Sequence, residues 1–253
     1  MDGNRRFAVK NNLLKEGGYS RGFGKILATL RWCKELGIKE ITVYAFSIEN
    51  FKRSRGEVKT LMTLAGDKIQ ELLTDDEIVN EVCVRIIGNM LLWPEQLKQK
   101  CAELMLKTKD NDEMFLNVAF VYTSRDEIAN SAREIVAGVK SGAIEAEDID
   151  EGLISDCLYT SGRPDPELII RTSGEIRFSD FLLWQISHSQ ICFLQVLWPD
   201  VSFWYFLVSI IQYQRHCNDL KKPGSRQVKS ERVRKFLDRL QQRRLAQLQD
   251  FVR

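Results

Sequence analysis

Short apolar runs rich in β-branched and aromatic residues take turns with stretches of helical period along almost the whole chain. Residues 41–46, 82–88, 115–121, 168–171 and 191–194 have the length and composition of buried strands. Between them Phe23, Ile26, Leu27, Leu30, Cys33 and Leu36 recur at helical spacing and stop at Gly37, where a left-handed residue closes a helix. Val58, Leu61, Met62, Ala65, Ile69, Leu72 and Leu73 mark a second helix. Pro94 opens a third through Leu97, Cys101, Leu104 and Met105. Ser124 and Glu127 read as a capping box ahead of Ile128, Ala132, Ile135 and Val139. A parallel neighbour needs a crossover, and a helix supplies it, so the alternation predicts an α/β fold with a largely parallel central sheet flanked by helices. Ligands of such sheets sit beyond the carboxyl ends of the strands, which draws attention to the polar segments after Phe46 and Ile170.

Bulk properties remove several classes of function. A chain of 253 residues buries one large core, with room for a helical appendage. A net charge of +2 argues against nucleic-acid binding by the molecule as a whole. No apolar run reaches the roughly 18 residues of a membrane span, and the opening Met-Asp-Gly-Asn-Arg-Arg has no secretory pattern. The six cysteines are scattered without a CxxC pair and read as reduced core thiols. His188 and His216 belong to no metal-ligand pattern, which disfavours zinc chemistry and a histidine-based triad. Residues 1–20, polar and bearing glycine, read as a loop. After Pro223-Gly224, basic residues from Lys229 to Arg244 alternate with Val233, Phe236, Leu237, Leu240, Leu245 and Leu248. This predicts a main domain over 1–222 and a basic amphipathic helix over 223–253, packing on a partner helix in preference to an anionic membrane or nucleic acid.

Four segments carry candidate chemistry. Asp2-Gly3-Asn4-Arg5-Arg6 combines a carboxylate, a glycine, an amide and two guanidiniums, a set able to hold Mg²⁺ near a diphosphate. Ser47, Glu49, Asn50 and Arg53 lie on the loop after the first strand. Tyr122-Thr123-Ser124-Arg125 lies at another strand end, where helix capping alone accounts for it. The stretch 169–179 sends Arg171 and Arg177 into a small polar loop, and Ser179 and Asp180 are expected to open a helix over 181–186. A helix N-terminus with two guanidiniums and a hydroxyl would form an anion cradle. Leu61, Met62, Ala65 and Ile69 are the candidate lining of an apolar tunnel, with plain core as the competing reading.

In this order the segments resemble the cis-prenyltransferase family, the synthases of undecaprenyl and dehydrodolichyl diphosphate. The likeness runs from Asp2 to about Gln214 and is densest at residues 2–6, 44–50, 170–175, 181–185 and 196–199. The stretches 30–33 and 49–54 look most like the eukaryotic catalytic subunit. The resemblance implies cis condensation of isopentenyl diphosphate onto an allylic diphosphate such as farnesyl diphosphate, with Mg²⁺ as cofactor. It implies a metal-assisting role for Asp2, allylic-diphosphate contacts for Gly3, Asn4, Arg5, Arg6 and Lys15, and proton removal at Asn50. Ser47, Glu49 and Arg53 share the Asn50 loop, and Arg171, Arg177 and Ser179 match the isopentenyl-diphosphate site. It further implies a heteromer with a Nogo-B-receptor-type subunit, held peripherally on the cytoplasmic face of the endoplasmic reticulum membrane and feeding dolichol synthesis and glycosylation.

The chain departs from the family pattern at several places. Met1 directly abuts Asp2 where family members have a leading strand. Tyr19 stands where a histidine is usual, Gln190 where single-subunit bacterial members carry a metal-binding glutamate, and Asp219-Leu220-Lys221 where they carry Arg-x-Gly. The last two are what a subunit completed by a partner would show. A non-catalytic diphosphate-binding subunit is the rival reading. A trans-prenyl synthase is set aside because the acidic run at 75–77 lacks the further aspartate that chemistry needs.

Overall fold

The computed structural model describes residues 1–218 and 229–253. Five strands and nine α-helices follow one another among them. The first half holds α1 (Asn4–Lys10), α2 (Lys15–Glu35), β1 (Glu40–Ser47), α3 (Arg55–Leu73), α4 (Asp76–Glu81), β2 (Val82–Ile87) and α5 (Glu95–Thr108). The second half holds β3 (Met114–Tyr122), α6 (Ser124–Lys140), α7 (Glu151–Cys157), β4 (Leu168–Arg171), β5 (Gln190–Phe193), α8 (Phe203–His216) and α9 (Glu231–Val252). All strand pairings are parallel: β1-β3-β2 form one sheet and β4-β5 another. The expected α/β architecture with parallel strands and flanking helices is the one observed.

β3 is central and nearly continuous in apolar side chains, as a strand covered on both faces must be. Its neighbours align Glu40 with Phe115 and Val82 with Met114, which brings the strand ends after β1 and β3 to the same edge of the sheet. The main core lies between this sheet and α2, α3 and α5, with Leu30, Cys33, Leu72, Cys101 and Leu104 at its centre. The six cysteines are free, and all but the half-buried Cys217 are buried, as expected of core thiols. Gly88 lets the chain leave β2: at φ 149°, a Cβ there would lie 2.0 Å from the Phe120 carbonyl oxygen.

Three local expectations are overturned. Residues 1–20 form α1 and the start of α2, because Phe7 and Ala8 bury against α2 and tertiary packing overrides a weakly helical composition. Residues 181–186 form turns, because Ser179, Asp180 and Leu182 all have positive φ, which no α-helix tolerates. The N-terminus of α6 is capped by Asp180, whose carboxylate accepts from the Arg125 amide at 3.1 Å, and Thr123 occupies the cap position. Ser124 instead accepts from the Leu183 amide at 2.9 Å. Glu127, fully buried, accepts from the Tyr122 hydroxyl, the Gln185 amide and the Tyr159 backbone. Burial pushes its carboxyl up despite those bonds.

The C-terminal helix α9 is built into the body of the molecule. Val233, Phe236 and Leu240 pack with Ile135, Ile144, Leu153 and Cys157. Arg244 donates to the Cys157 and Leu158 carbonyls at 2.7 and 3.0 Å, satisfying the open end of α7. Much of its positive charge meets the chain's own acids: Arg232 pairs with Asp148 at 2.8 Å, Lys229 with Asp156 at 2.5 Å, and Arg243 with Glu134. Asp219-Leu220-Lys221, Pro223-Gly224 and the boundary between 222 and 223 lie outside the described residues. Phe236→Ala should cost about 3–5 kcal/mol, and the exposed Lys235→Ala no more than about 0.5 kcal/mol, in urea denaturation. Equal small losses would mean that α9 is an appendage.

Candidate active site

The first turn of the chain is tied to the far end of the fold by its backbone. The Asp2 amide donates to Thr172 Oγ1 at 3.2 Å, and the Asp2 carbonyl accepts from Ser173 Oγ at 2.6 Å and from the Trp198 amide at 3.0 Å. Gly3 follows at φ 98°, and a Cβ there would sit 2.4 Å from Ser173 Oγ and 2.9 Å from Leu197. Only glycine meets both demands. Asn4 is wedged against Gly22, whose own Cβ would come within 2.3 Å of Asn4 Oδ1.

These ties bring the two ends of the sequence into one charged nest. Asp2 accepts from Arg171 Nη2 at 3.2 Å, from its own neighbour Gly3 at 2.9 Å, and faces Arg6 at 3.9 Å. Burial alone would raise the Asp2 carboxyl, but the Arg171 and Gly3 hydrogen bonds and nearby positive charge outweigh it and hold it below the ordinary carboxylate range. Its side chain keeps 41% exposure, enough to reach a ligand. Arg6 also donates to the Ser173 carbonyl at 3.2 Å and to Glu175 Oε1 at 3.1 Å, while Arg177 pairs with the other oxygen of Glu175. One carboxylate therefore holds guanidiniums from both ends of the chain side by side.

A second nest surrounds Glu57, which the sequence reading did not single out. Tyr19 donates to it at 2.9 Å, Arg53 at 3.1 Å and Lys15 at 3.2 Å, and Arg5 lies at 3.6 Å. Burial would raise the Glu57 carboxyl, but the bonds from Tyr19 and Lys15 and the charge of Arg53 override it and hold it low. Tyr19, standing where the family pattern usually has histidine, is pushed up to about 12 by burial and by its bond to Glu57, so it is a neutral donor. The signal that marks Glu57 in the sequence is Ser54-x-x-Glu57, a helix-start pattern: Ser54 Oγ accepts from the Glu57 amide at 3.3 Å.

The loop after β1 is locked by reciprocal bonds. Ser47 Oγ accepts from the Glu49 amide at 3.2 Å, and Asn50 Oδ1 accepts from the Ser47 amide at 3.1 Å. Asn50, Ser47, Arg53, Arg177 and Ser179 line the same cavity as Asp2–Arg6, a space of about 1770 Å³. Glu49 is exposed, paired with Lys52 and outside that lining, and Lys15 joins the site through Glu57. Gln190 opens β5 at the amino end of the strand, away from the carboxyl ends where Asp2 sits. Ser179 is present as expected, but on a left-handed turn instead of a helix N-terminus.

An apolar chamber of about 130 Å³ lies between α2, α3 and the β1-β3-β2 sheet, and shares Met1, Asn4, Tyr19 and Phe46 with the charged cavity. Leu61, Ala65 and Ile69 line it, whereas Met62 packs against the core outside it. The arrangement suits an amphiphile with an anionic head and a hydrocarbon tail.

Glu57→Gln should destabilise the protein by about 1–3 kcal/mol at neutral pH. Because the folded carboxyl is depressed, its stabilisation is present above the ordinary value of 4.5 and is lost as pH falls through the lower folded value. The stability gap between the variant and the parent should therefore narrow below pH 4.5 in a pH series of melting curves. A gap independent of pH would contradict it.

The chain matches the family model for undecaprenyl diphosphate synthase over residues 1–220. It is 48% identical over 241 residues to the dehydrodolichyl diphosphate synthase complex subunits of Mus musculus and of Homo sapiens, covering 94% of this chain and 72% of each relative. The crystal structure of lavandulyl diphosphate synthase from Lavandula x intermedia, in complex with dimethylallyl diphosphate, has a similar fold. The TM-score is 0.78 at 30% identity, covering 85% of this chain and 92% of that one. A match over nearly the whole described body, together with relatives at 48% identity, establishes that the chain belongs to the cis-prenyltransferase family of prenyl-transferring enzymes.

Proposed function

We propose that the chain is the catalytic subunit of a heteromeric synthase. It would condense isopentenyl diphosphate in cis onto farnesyl diphosphate and so build dehydrodolichyl diphosphate for dolichol synthesis and protein glycosylation. The observation that carries this reading is the nest in which Asp2, Arg6, Arg171, Glu175 and Arg177 converge on a cavity adjoining an apolar chamber.

In each cycle the allylic C–O bond breaks, a C–C bond forms to isopentenyl diphosphate, a proton leaves the isopentenyl group and inorganic diphosphate departs. Ionising an allylic diphosphate depends on stabilising charge on the leaving group, the work for which preorganised guanidiniums and backbone N–H groups suit best. Gly3 and Asn4 at the start of α1, with Arg5, Arg6, Lys15 and Arg53, would hold the allylic diphosphate. Arg171, Arg177 and Ser179 would hold the isopentenyl diphosphate next to it. Ser47 fixes Asn50, which would receive the departing proton. Leu61, Ala65 and Ile69 would receive the growing chain, where apolar burial contributes about 0.8 kcal/mol per methylene.

Magnesium fits the donor set. Among the described residues no cluster of three or more acidic, histidine or cysteine ligands exists, while Asp2 is a lone, half-exposed, ionised carboxylate. Mg²⁺ is commonly held by one or two carboxylates with substrate phosphates and water. Bound through Asp2, the ion would neutralise leaving-group oxygens.

The complex-subunit names of the mammalian relatives support a heteromer, and a Nogo-B-receptor-type partner would be its second subunit. No described helix is long and apolar enough to cross a membrane, and the proposed setting is peripheral, on the cytoplasmic face of the endoplasmic reticulum. Radiolabelled isopentenyl diphosphate should enter a polyisoprenoid product when farnesyl diphosphate, magnesium and the partner subunit are supplied. Asp2→Ala should lower kcat by about 10²–10³-fold. Farnesyl diphosphate binding with no elongation, with or without the partner, would select the rival reading of a non-catalytic subunit.

A further inference from the structure

The segment between α7 and β4 is held from two sides. Its carbonyls face guanidiniums. Arg244 of α9 donates to the Cys157 carbonyl at 2.7 Å, the Leu158 carbonyl at 3.0 Å and Ser161 Oγ at 3.2 Å. Arg85 of β2 donates to the Tyr159 and Ser161 carbonyls at 3.2 and 3.1 Å. Its amides face a carboxylate: the Tyr159 amide donates to Glu127 at 2.8 Å, and the Thr160 amide bonds to the same group. Residues 157–161 thus run between two half-buried cations and a buried acid. Movement of the segment would strip those charged groups of their partners, and that cost keeps it in place.

The same segment holds the turn that carries Ser179. Gln185 Nε2 donates to Thr160 Oγ1 at 2.9 Å and to Glu127 at 3.0 Å, and the Trp184 indole donates to Ser155 Oγ of α7 at 2.9 Å. A few residues upstream, Ser179, Asp180 and Leu182 have φ of 51°, 60° and 49°. Left-handed backbone is unfavourable for residues other than glycine and persists where the surroundings over-determine it. Arg177, Ser179, Phe181 and Gln185 all line the charged cavity, so the bonds that pin 184–185 also bear on the shape of its wall. The family model ends at residue 220 and α9 begins at Glu231, so Arg244 acts from outside the matched part of the chain.

We propose that Arg244 is a positioning residue for the active site. With Arg85 it sets residues 157–161, which through Thr160 and Gln185 keep the turn at 179–182 in the form that presents Arg177 and Ser179 to isopentenyl diphosphate. The allylic side has its own anchor in Glu57, which gathers Arg5, Lys15 and Arg53. Loss of Arg244 therefore weakens one substrate and spares the other. The inference rests on the assignment of Arg177 and Ser179 to isopentenyl diphosphate proposed above.

The test uses the full chain assayed with the partner subunit of the proposed heteromer. Arg244→Gln should raise KM for isopentenyl diphosphate by about 5–20-fold. Its kcat and its KM for farnesyl diphosphate should stay within about twofold of the parent. Arg244→Lys, which keeps a charged donor, should recover part of the loss. Thr160→Val, one bond nearer the turn, should give the same KM shift, and combining it with Arg244→Gln should add little, because both cut one path. Ile78→Ala, in the buried face of α4, is the control for stability alone: it should lower the melting temperature and leave both KM values in place. Amide hydrogen exchange at 177–186 should quicken in Arg244→Gln and not in Ile78→Ala. Both KM values rising together, an equal shift in Ile78→Ala, or faster exchange confined to α9 and 157–161 would overturn the proposal. If the parent makes no product, the proposed function fails separately, and exchange at 177–186 decides on Arg244 alone: quickened supports its role, unchanged refutes it. If Arg244→Gln does not fold, Arg244→Lys and Thr160→Val decide by the same readouts.

Discussion

The site depends on the backbone of Asp2. Its amide and carbonyl are bonded to Thr172, Ser173 and Trp198, so the first turn of the chain is fixed to loops that follow β4 and β5, some 170 positions away in sequence. Contacts of such sequence separation carry a large closure cost, and three hydrogen bonds to buried or half-buried groups in one residue are what offset it. Gly3 is the steric condition for the approach, since any side chain would collide with Ser173 and Leu197. The Asp2–Arg171 ion pair and the Arg6–Glu175–Arg177 bridge then form on a frame already set by backbone geometry.

The parts of the fold that were legible in the sequence are those decided by local hydrophobic period. Every strand was visible as a short β-branched run, and α2, α3 and α5 as apolar stripes, because burial in a parallel sheet or on one helix face imposes that pattern directly. What escaped was decided by partners distant in sequence. α1 has an unremarkable composition and exists because Phe7 and Ala8 find α2. The apolar run 181–186 has helical composition but positive φ at Ser179, Asp180 and Leu182, since Asp180 is drawn onto the amino end of α6. Ser124 and Glu127 have the spacing of a capping box, yet both side chains are spent on tertiary bonds that hold this same run against β3.

The candidate site was legible in its cations and in Asp2, and not in the carboxylates that hold the cations in place. Arginines and a glycine-bearing turn are conspicuous in sequence because phosphate recognition calls for them. Glu57 looked like an ordinary residue in the first turn of a helix, and Glu175 like part of a polar loop. The structure shows each as the hub of a nest, with Arg5, Lys15, Arg53 and Tyr19 on one and Arg6 and Arg177 on the other. No periodicity encodes that role, because its partners come from four separate segments.

Those two carboxylates also reconcile a net charge of only +2 with a site built for anions. Guanidiniums crowded together without counter-charge would repel one another strongly in a half-desolvated cleft, where the effective dielectric is well below that of water. Glu57 and Glu175 remove most of that repulsion and fix the rotamers of the basic side chains in advance. Each carboxylate carries a single charge and the cations around it outnumber it, so positive potential is left over at the mouth of each nest. A multiply charged phosphate ligand that enters there meets donors already oriented, and little reorganisation remains to be done at the moment of binding. The acids are therefore as much a part of the anion site as the arginines, acting through the basic groups they hold.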